Sequence, residues 1–170
     1  MMRWFYIIVF AFIPAILGKI TLNSKLGSTH PEYNTCLTET STNNNDVFSV
    51  GDILVDRHKQ PENEEKQRKN GCLIHCLLQK QGLIEESEFN IEKTRTAFAE
   101  KTNYQVGDDF HKAFDNCLEE AKNIEDKCEK SLTLVTCYFK SKEKLLSERG
   151  QHTSGEHEEP GENEEHKHEE

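Results

Sequence analysis

Six cysteines and eight histidines are the side chains of this 170-residue sequence whose chemistry goes beyond packing and surface charge. The cysteines are Cys36, Cys72, Cys76, Cys117, Cys128 and Cys137, an even number confined to residues 36–137. They can coordinate a metal as thiolates or pair into cross-links. Cys72 and Cys76 stand four apart, on one face if the segment is helical. However, no second close pair completes the four ligands a structural zinc site needs.

The N-terminus decides between these chemistries. Arg3 is followed by an apolar run from Trp4 to Leu17, broken only by Pro14, and then by the small residue Gly18. That is the layout of a secretory signal peptide over residues 1–18, expected to be removed on export. The run is short for a membrane span of about 20 residues. An N-terminal anchor helix is the alternative reading, and no later apolar run suggests membrane insertion. An exported chain with six cysteines is expected to form three disulfides, with no metal.

The histidines offer less. His58, His75 and His111 are scattered through the body of the chain, and His75, between two cysteines, is expected on the solvated side of its helix. His152, His157, His166 and His168 fall in a terminal segment where they could hold a transition metal weakly. A solvated acidic tail is the plainer reading. No Ser/His/Asp set with a nucleophile-elbow glycine context, no phosphate-cradling Gly-rich loop and no His-Glu-x-x-His is present. The sequence therefore nominates no catalytic residue and no cofactor, and it does not read as an enzyme.

Charge narrows the partners. Residues 19–149 carry nineteen Lys and Arg against twenty-three Asp and Glu, while residues 150–170 carry eight Glu against one Lys. A mildly acidic body with a strongly acidic tail has no electrostatic basis for nucleic acid or anionic membranes, whose binding rests on Lys and Arg. From Gly150 onward the chain lacks aliphatic and aromatic residues altogether. It cannot offset the entropy of ordering and is expected to be a disordered, His-rich tail.

The elements that position the cysteines read as helices. Residues 19–29 read as a loose N-terminus. A first helix is expected over 31–39, led by Thr29 and Pro31. Asp46 would cap a second over 47–54, and residues 56–70 are a loop or a solvated helical extension. The clearest pattern follows, with Cys72, Leu73, Cys76 and Leu77 repeating at four residues until Gly82. A fourth helix follows Asn90. A fifth, begun by Gly107-Asp108, carries Phe110, Ala113, Phe114, Cys117, Leu118, Ala121 and Ile124 at steps of three and four. Ser131 would cap a sixth, with Leu132, Leu134, Val135, Tyr138 and Phe139. No alternating strand pattern competes, so the fold class is all-α, with a single domain over 19–149.

Half of these helices carry too few apolar residues for a large continuous core. Small domains compensate with covalent staples, each contributing about 3–4 kcal/mol by restricting the unfolded chain. A stapled shell can keep an apolar void that would otherwise cost about 24 cal/mol per Å3. Such a void is the usual form of a lipophilic ligand site.

The cysteine order, Cys-x35-Cys-x3-Cys-x40-Cys-x10-Cys-x8-Cys, resembles the six-cysteine signature of insect odorant-binding proteins, above all in its x3 and x8 gaps. The stretches DVFSVGDI (46–53), KNGCLIHCLLQKQGLI (69–84) and EDKCEKSLTLVTC (125–137) look like ant pheromone-binding proteins of the kind linked with fire-ant social organisation. The first gap is longer than is usual in the wider family, and the surplus falls in the polar stretch 56–70. The tail is a second departure.

This resemblance implies six helices around an internal hydrophobic cavity and bridges Cys36–Cys76, Cys72–Cys128 and Cys117–Cys137. The middle bridge would tie the third helix to the end of the fifth. It also implies a secreted, extracellular carrier of small hydrophobic ligands. A homodimer stays open as an assembly. The alternative is a secreted structural or signalling protein on the same fold with no odorant ligand. A saposin-like lipid-handling family is disfavoured by the lack of an initial Cys-x2-Cys. Candidates for the cavity wall are Phe48, Val50, Leu54, Leu73, Leu77, Phe98, Phe110, Phe114, Leu118, Leu134, Val135, Tyr138 and Phe139.

Overall fold

A computed structural model describes residues 22–85, 88–102, 105 and 107–152. Among them are six α-helices: α1 (Tyr33–Glu39), α2 (Val50–Leu54), α3 (Glu64–Lys80), α4 (Ile91–Thr102), α5 (Asp109–Lys122) and α6 (Lys127–His152). The expected signal peptide lies outside the described residues, as does residue 153 onward. The long helix α6 is the spine, packed along one side by α3 and along another by α5.

Local chemistry sets the helix ends. Asn90 accepts from the Lys93 N–H at the start of α4, and Asp108 accepts from the His111 N–H at the start of α5, as Asx caps do. The α5 stripe buries Phe110, Phe114, Cys117, Leu118 and Ala121, leaves Ala113 half-buried, and stops at Lys122, short of the expected Ile124. Burying each large side chain stabilises the fold by about 1.5–3 kcal/mol. Beyond α3, Gly82 takes a left-handed φ of +67°, turning the chain out of the helix where an L-residue would be strained.

Several expectations need correction. The N-terminal segment is not loose: Leu26 is buried, its N–H donates to the Phe48 carbonyl, and Val50 N–H donates back to Ser24. These bonds hold residues 47–48 extended, so the second helix does not start at Val47. Residues 44–46 form a 3-10 turn, and α2 begins after Ser49, whose hydroxyl accepts from Asp52 N–H while Asp52 accepts from Ser49 N–H. That reciprocal capping box outcompetes the Asp46 cap. Helix α1 likewise starts at Tyr33 rather than Pro31.

Helix α6 starts before Ser131. Asp126 caps it, its Oδ1 accepting from Glu129 N–H at 2.7 Å. Cys128 therefore sits in the first turn of α6 and not at the end of the fifth helix. At its other end α6 runs through Gly150 to His152, so it enters the segment expected to be disordered. The polar stretch 56–70 resolves into two 3-10 turns and the first two turns of α3. One small antiparallel pairing also occurs, Ile84 with Phe89 and Glu85 with Glu88. It is too short to leave an alternating pattern in sequence.

Three bridges join the helices: Cys36–Cys76 (α1 to α3), Cys72–Cys128 (α3 to α6) and Cys117–Cys137 (α5 to α6). The middle one brings the Cα atoms to 4.4 Å. Such closeness requires Gly71, because a Cβ at that position would overlap the Cys128 carbonyl.

Candidate functional site

Two apolar clusters fill the interior. One gathers Leu26, Tyr33, Phe48, Ile53, Leu73 and Leu77 between α1, α2 and α3; the other gathers Ile84, Phe98, Phe114, Leu118 and Leu134 between α4, α5 and α6. Leu78 packs against both, Val135 and Phe139 against the first, and Tyr138 against the second.

A cleft of about 670 Å3 opens along this seam, with its mouth to solvent. Helix α3 lends it Ile74, Leu77 and Leu78, and α6 lends Val135, Tyr138 and Phe139. Gly27, Thr29, His30 and Pro31 close one side. Gly27 has a φ of +75°, and a Cβ there would overlap the Leu77 side chain, so glycine is needed for the segment to lie against α3. The size falls within the range of about 300–1,000 Å3 common for small-molecule sites.

Of the thirteen wall candidates, the structure brings four to this cleft: Leu77, Val135, Tyr138 and Phe139. Phe48, Val50 and Leu73 are core residues of the first cluster, with Leu54 packed at its edge. Phe98, Phe114, Leu118 and Leu134 are core residues of the second. Phe98 and Phe114 stack with centroids 4.0 Å apart, and Tyr138 stands edge-on to Phe98 at 5.0 Å. Phe110 is buried under the Arg149 guanidinium, 4.6 Å from its ring. The lining residues missed in sequence are chiefly Gly27, Thr29, His30, Pro31 and Gln81; the first two fell in the stretch that read as a loose N-terminus. Ile74 and Leu78, one step round from Leu73 and Leu77, carried a visible signal.

A second groove, about 930 Å3, is larger but lined by charge, including Glu64, Glu65, Arg68, Glu120, Asp126 and Glu129. A lipophile seated there would strip water from those charges with nothing to offer them in return, so size does not make it the better candidate.

Buried polar groups lock the walls. Asn70, fully buried on α3, accepts from Phe48 N–H at 2.9 Å and donates to the Asp46 and Lys66 carbonyls at 2.9 and 2.8 Å. His75 is also buried and not solvated as expected: its Nδ1 lies 3.2 Å from Ser131 Oγ on α6. Ser131 gives its one hydroxyl proton to the Lys127 carbonyl, so Nδ1–H of His75 is the donor between them. Burial pulls the pKa of His75 below the usual histidine value, and does the same at His58, where the Lys140 ammonium adds to it. Both imidazoles are therefore neutral at pH 7.

Among the described residues, the one cluster with metal-ligand geometry is Cys36, Glu39 and Cys76, and its two sulfurs are spent in a disulfide. No described helix is long and apolar enough to cross a membrane.

The comparisons agree with one another. The chain is 38% identical over 143 residues to pheromone-binding protein Gp-9 of Solenopsis globularia littoralis, covering 84% of this chain and 92% of that protein. It is 37% identical over 132 residues to Gp-9 of Solenopsis xyloni and 38% identical over 132 residues to Gp-9 of Solenopsis richteri, each covering 78% of this chain and 86% of the relative. No solved structure matches. The PBP/GOBP family pattern spans residues 27–141, which takes in the first five helices, the first fifteen residues of α6, all six cysteines and every residue bordering the cleft; the chain belongs to the PBP/GOBP family.

Proposed function

We propose that this chain is a secreted carrier of small hydrophobic odorants or pheromones, holding them in the cleft between α3 and α6 and taking them through extracellular fluid. Residues 1–18 are the export signal, residues 19–149 the carrier domain, and the remainder a solvated tail outside the binding function. The observation that carries the reading is the cleft itself: a 670 Å3 space walled by Ile74, Leu77, Leu78, Val135 and Phe139 and free of carboxylates, lysines and arginines. The names of its relatives, pheromone-binding proteins, support it. Burying about 300 Å2 of a lipophile at about 25 cal/mol per Å2 gives 7–8 kcal/mol, a micromolar affinity with no charged contact. The chain supplies binding and release, with no bond made or broken.

The test is displacement of the fluorescent probe N-phenyl-1-naphthylamine from the refolded, fully bridged protein. Saturable uptake by the native chain is expected, and Val135→Trp, which fills the cleft from its floor, is expected to abolish it with the fold intact. Absence of saturable uptake by the native chain overturns the reading. Undiminished uptake by the tryptophan variant places the ligand elsewhere.

A further inference from the structure

Thr29, His30, Gln81 and Tyr138 give the cleft neutral hydrogen-bonding groups, but its lining has no lysine or arginine, so a full positive charge to pair with an anionic ligand has to come from just outside it. Lys142 is outside the lining itself but is in helical register with it. It follows Val135 by seven residues, Tyr138 by four and Phe139 by three on α6. It therefore continues, one turn on, the helical stripe that walls the cleft. A helical side chain leans toward the N-terminus of its helix and covers the turn before its own Cα. For Lys142 that turn is the one carrying Tyr138 and Phe139. The step is about 5.4 Å, within the reach of a four-carbon stem.

Lys142 also differs from its neighbours in partnership. Lys140 is paired with Asp56 and Lys144 with Glu148. Lys142 is partly buried and has no hydrogen-bond or carboxylate partner among the described residues. Burial alone shifts its ammonium, pulling the pKa down with no nearby anion to oppose it. A cation drawn partly out of water without a counter-charge carries a cost that an incoming anion would relieve.

We propose that Lys142 is the head-group residue of the cleft, holding the carboxylate of a long-chain monocarboxylic acid whose hydrocarbon lies along Leu77, Val135 and Phe139. The assignment rests on the carrier reading above and narrows its ligand class. The ammonium donates a charge-assisted hydrogen bond to the carboxylate, which an ester or alcohol cannot match.

The experiment is fluorescence titration of the full-length, bridged chain with cis-parinaric acid and with its methyl ester at pH 7.5, where the acid is ionised. The native chain is expected to bind the acid about tenfold more tightly than the ester, the low end for a bond to a charged group that stays partly wet. Lys142→Met is expected to remove the preference while keeping the ester affinity, and Lys142→Arg to retain most of it. High salt is expected to narrow the native ratio. Equal binding of acid and ester by the native chain overturns the head-group assignment and leaves the carrier reading standing. Binding of neither ligand overturns both. The native ratio needs no variant, so a Lys142→Met chain that failed to fold would not shield the proposal.

Discussion

Asn70 gives the sharpest test of how the cleft wall is held. Its side chain bolts residues 46–48 to α3 with three hydrogen bonds, all at 2.8–2.9 Å, and no part of it reaches solvent. Asn70→Ala strands the buried Phe48 N–H, a loss of about 1–3 kcal/mol. The Lys66 carbonyl keeps its helical partner, and the Asp46 carbonyl, nearer the surface, recovers part of its loss from water. The vacated amide volume adds a smaller cavity term. The total comes to about 3 kcal/mol.

Urea unfolding reads this directly. With a slope of about 2 kcal/mol per molar, the midpoint should fall by about 1.5 M with the slope unchanged. Asn70→Asp separates the donors from the acceptor. It keeps an acceptor for Phe48 N–H but turns an anionic oxygen toward two carbonyls, which raises its folded-state pKa above the unfolded value near 3.9. A raised carboxyl pKa means the loss relative to the native chain is least below about pH 4 and grows as pH rises through the folded-state value. An Ala variant within 0.5 kcal/mol of native, or an Asp variant with no pH dependence beyond the native chain's own, would refute the bolt.

Other perturbations act at separate points. Gly71→Ala drives a methyl into the Cys128 carbonyl and should destabilise the bridged chain by about 2 kcal/mol or more, measured by thermal melting; a melt equal to native would show that α3 and α6 can part freely. His58 and His75 are both buried with depressed pKa values, so the folded chain takes up fewer protons than the unfolded one below about pH 6.5. Stability should be full above that pH and fall on acidification toward pH 5, and His75→Gln should flatten the slope; a urea midpoint constant over this range contradicts the linkage. Removing residues 153–170, which contain no aliphatic or aromatic hydrophobe, should leave probe affinity unchanged, and a large drop would show that the tail reaches the cleft.

What could be read in the sequence was local. The α5 stripe from Phe110 to Ala121 and the Asp108 and Asn90 caps depend on residues within a few positions of one another. They appear where periodicity and side-chain chemistry place them. The family resemblance added the global frame. Contacts spanning tens of residues stayed hidden. Asn70 reads as the end of a polar stretch until the chain brings Phe48 N–H to it across 22 positions. His75 looks solvated beside its cysteines until Ser131 arrives from 56 residues away. The cleft was half legible for a related reason. Helical spacing tells which face of α3 or α6 is apolar, but not whether another aromatic or open space lies opposite. Phe98 and Phe114 found each other; Val135 and Phe139 found the space.

The bridges run in series, from α1 to α3, then to α6, then to α5. Four helices are thus beads on one sulfur-linked string, while α2 and α4 hang only by peptide bonds. Of the two, α2 is pinned by its capping box and by buried Val50 and Ile53, which leaves α4 as the helix expected to open first. Amide exchange in α4 should run well ahead of that in α3 and α6. Opening there would take Phe98 off Phe114 and bare the far side of Tyr138. The cross-links therefore choose which wall of the molecule yields first.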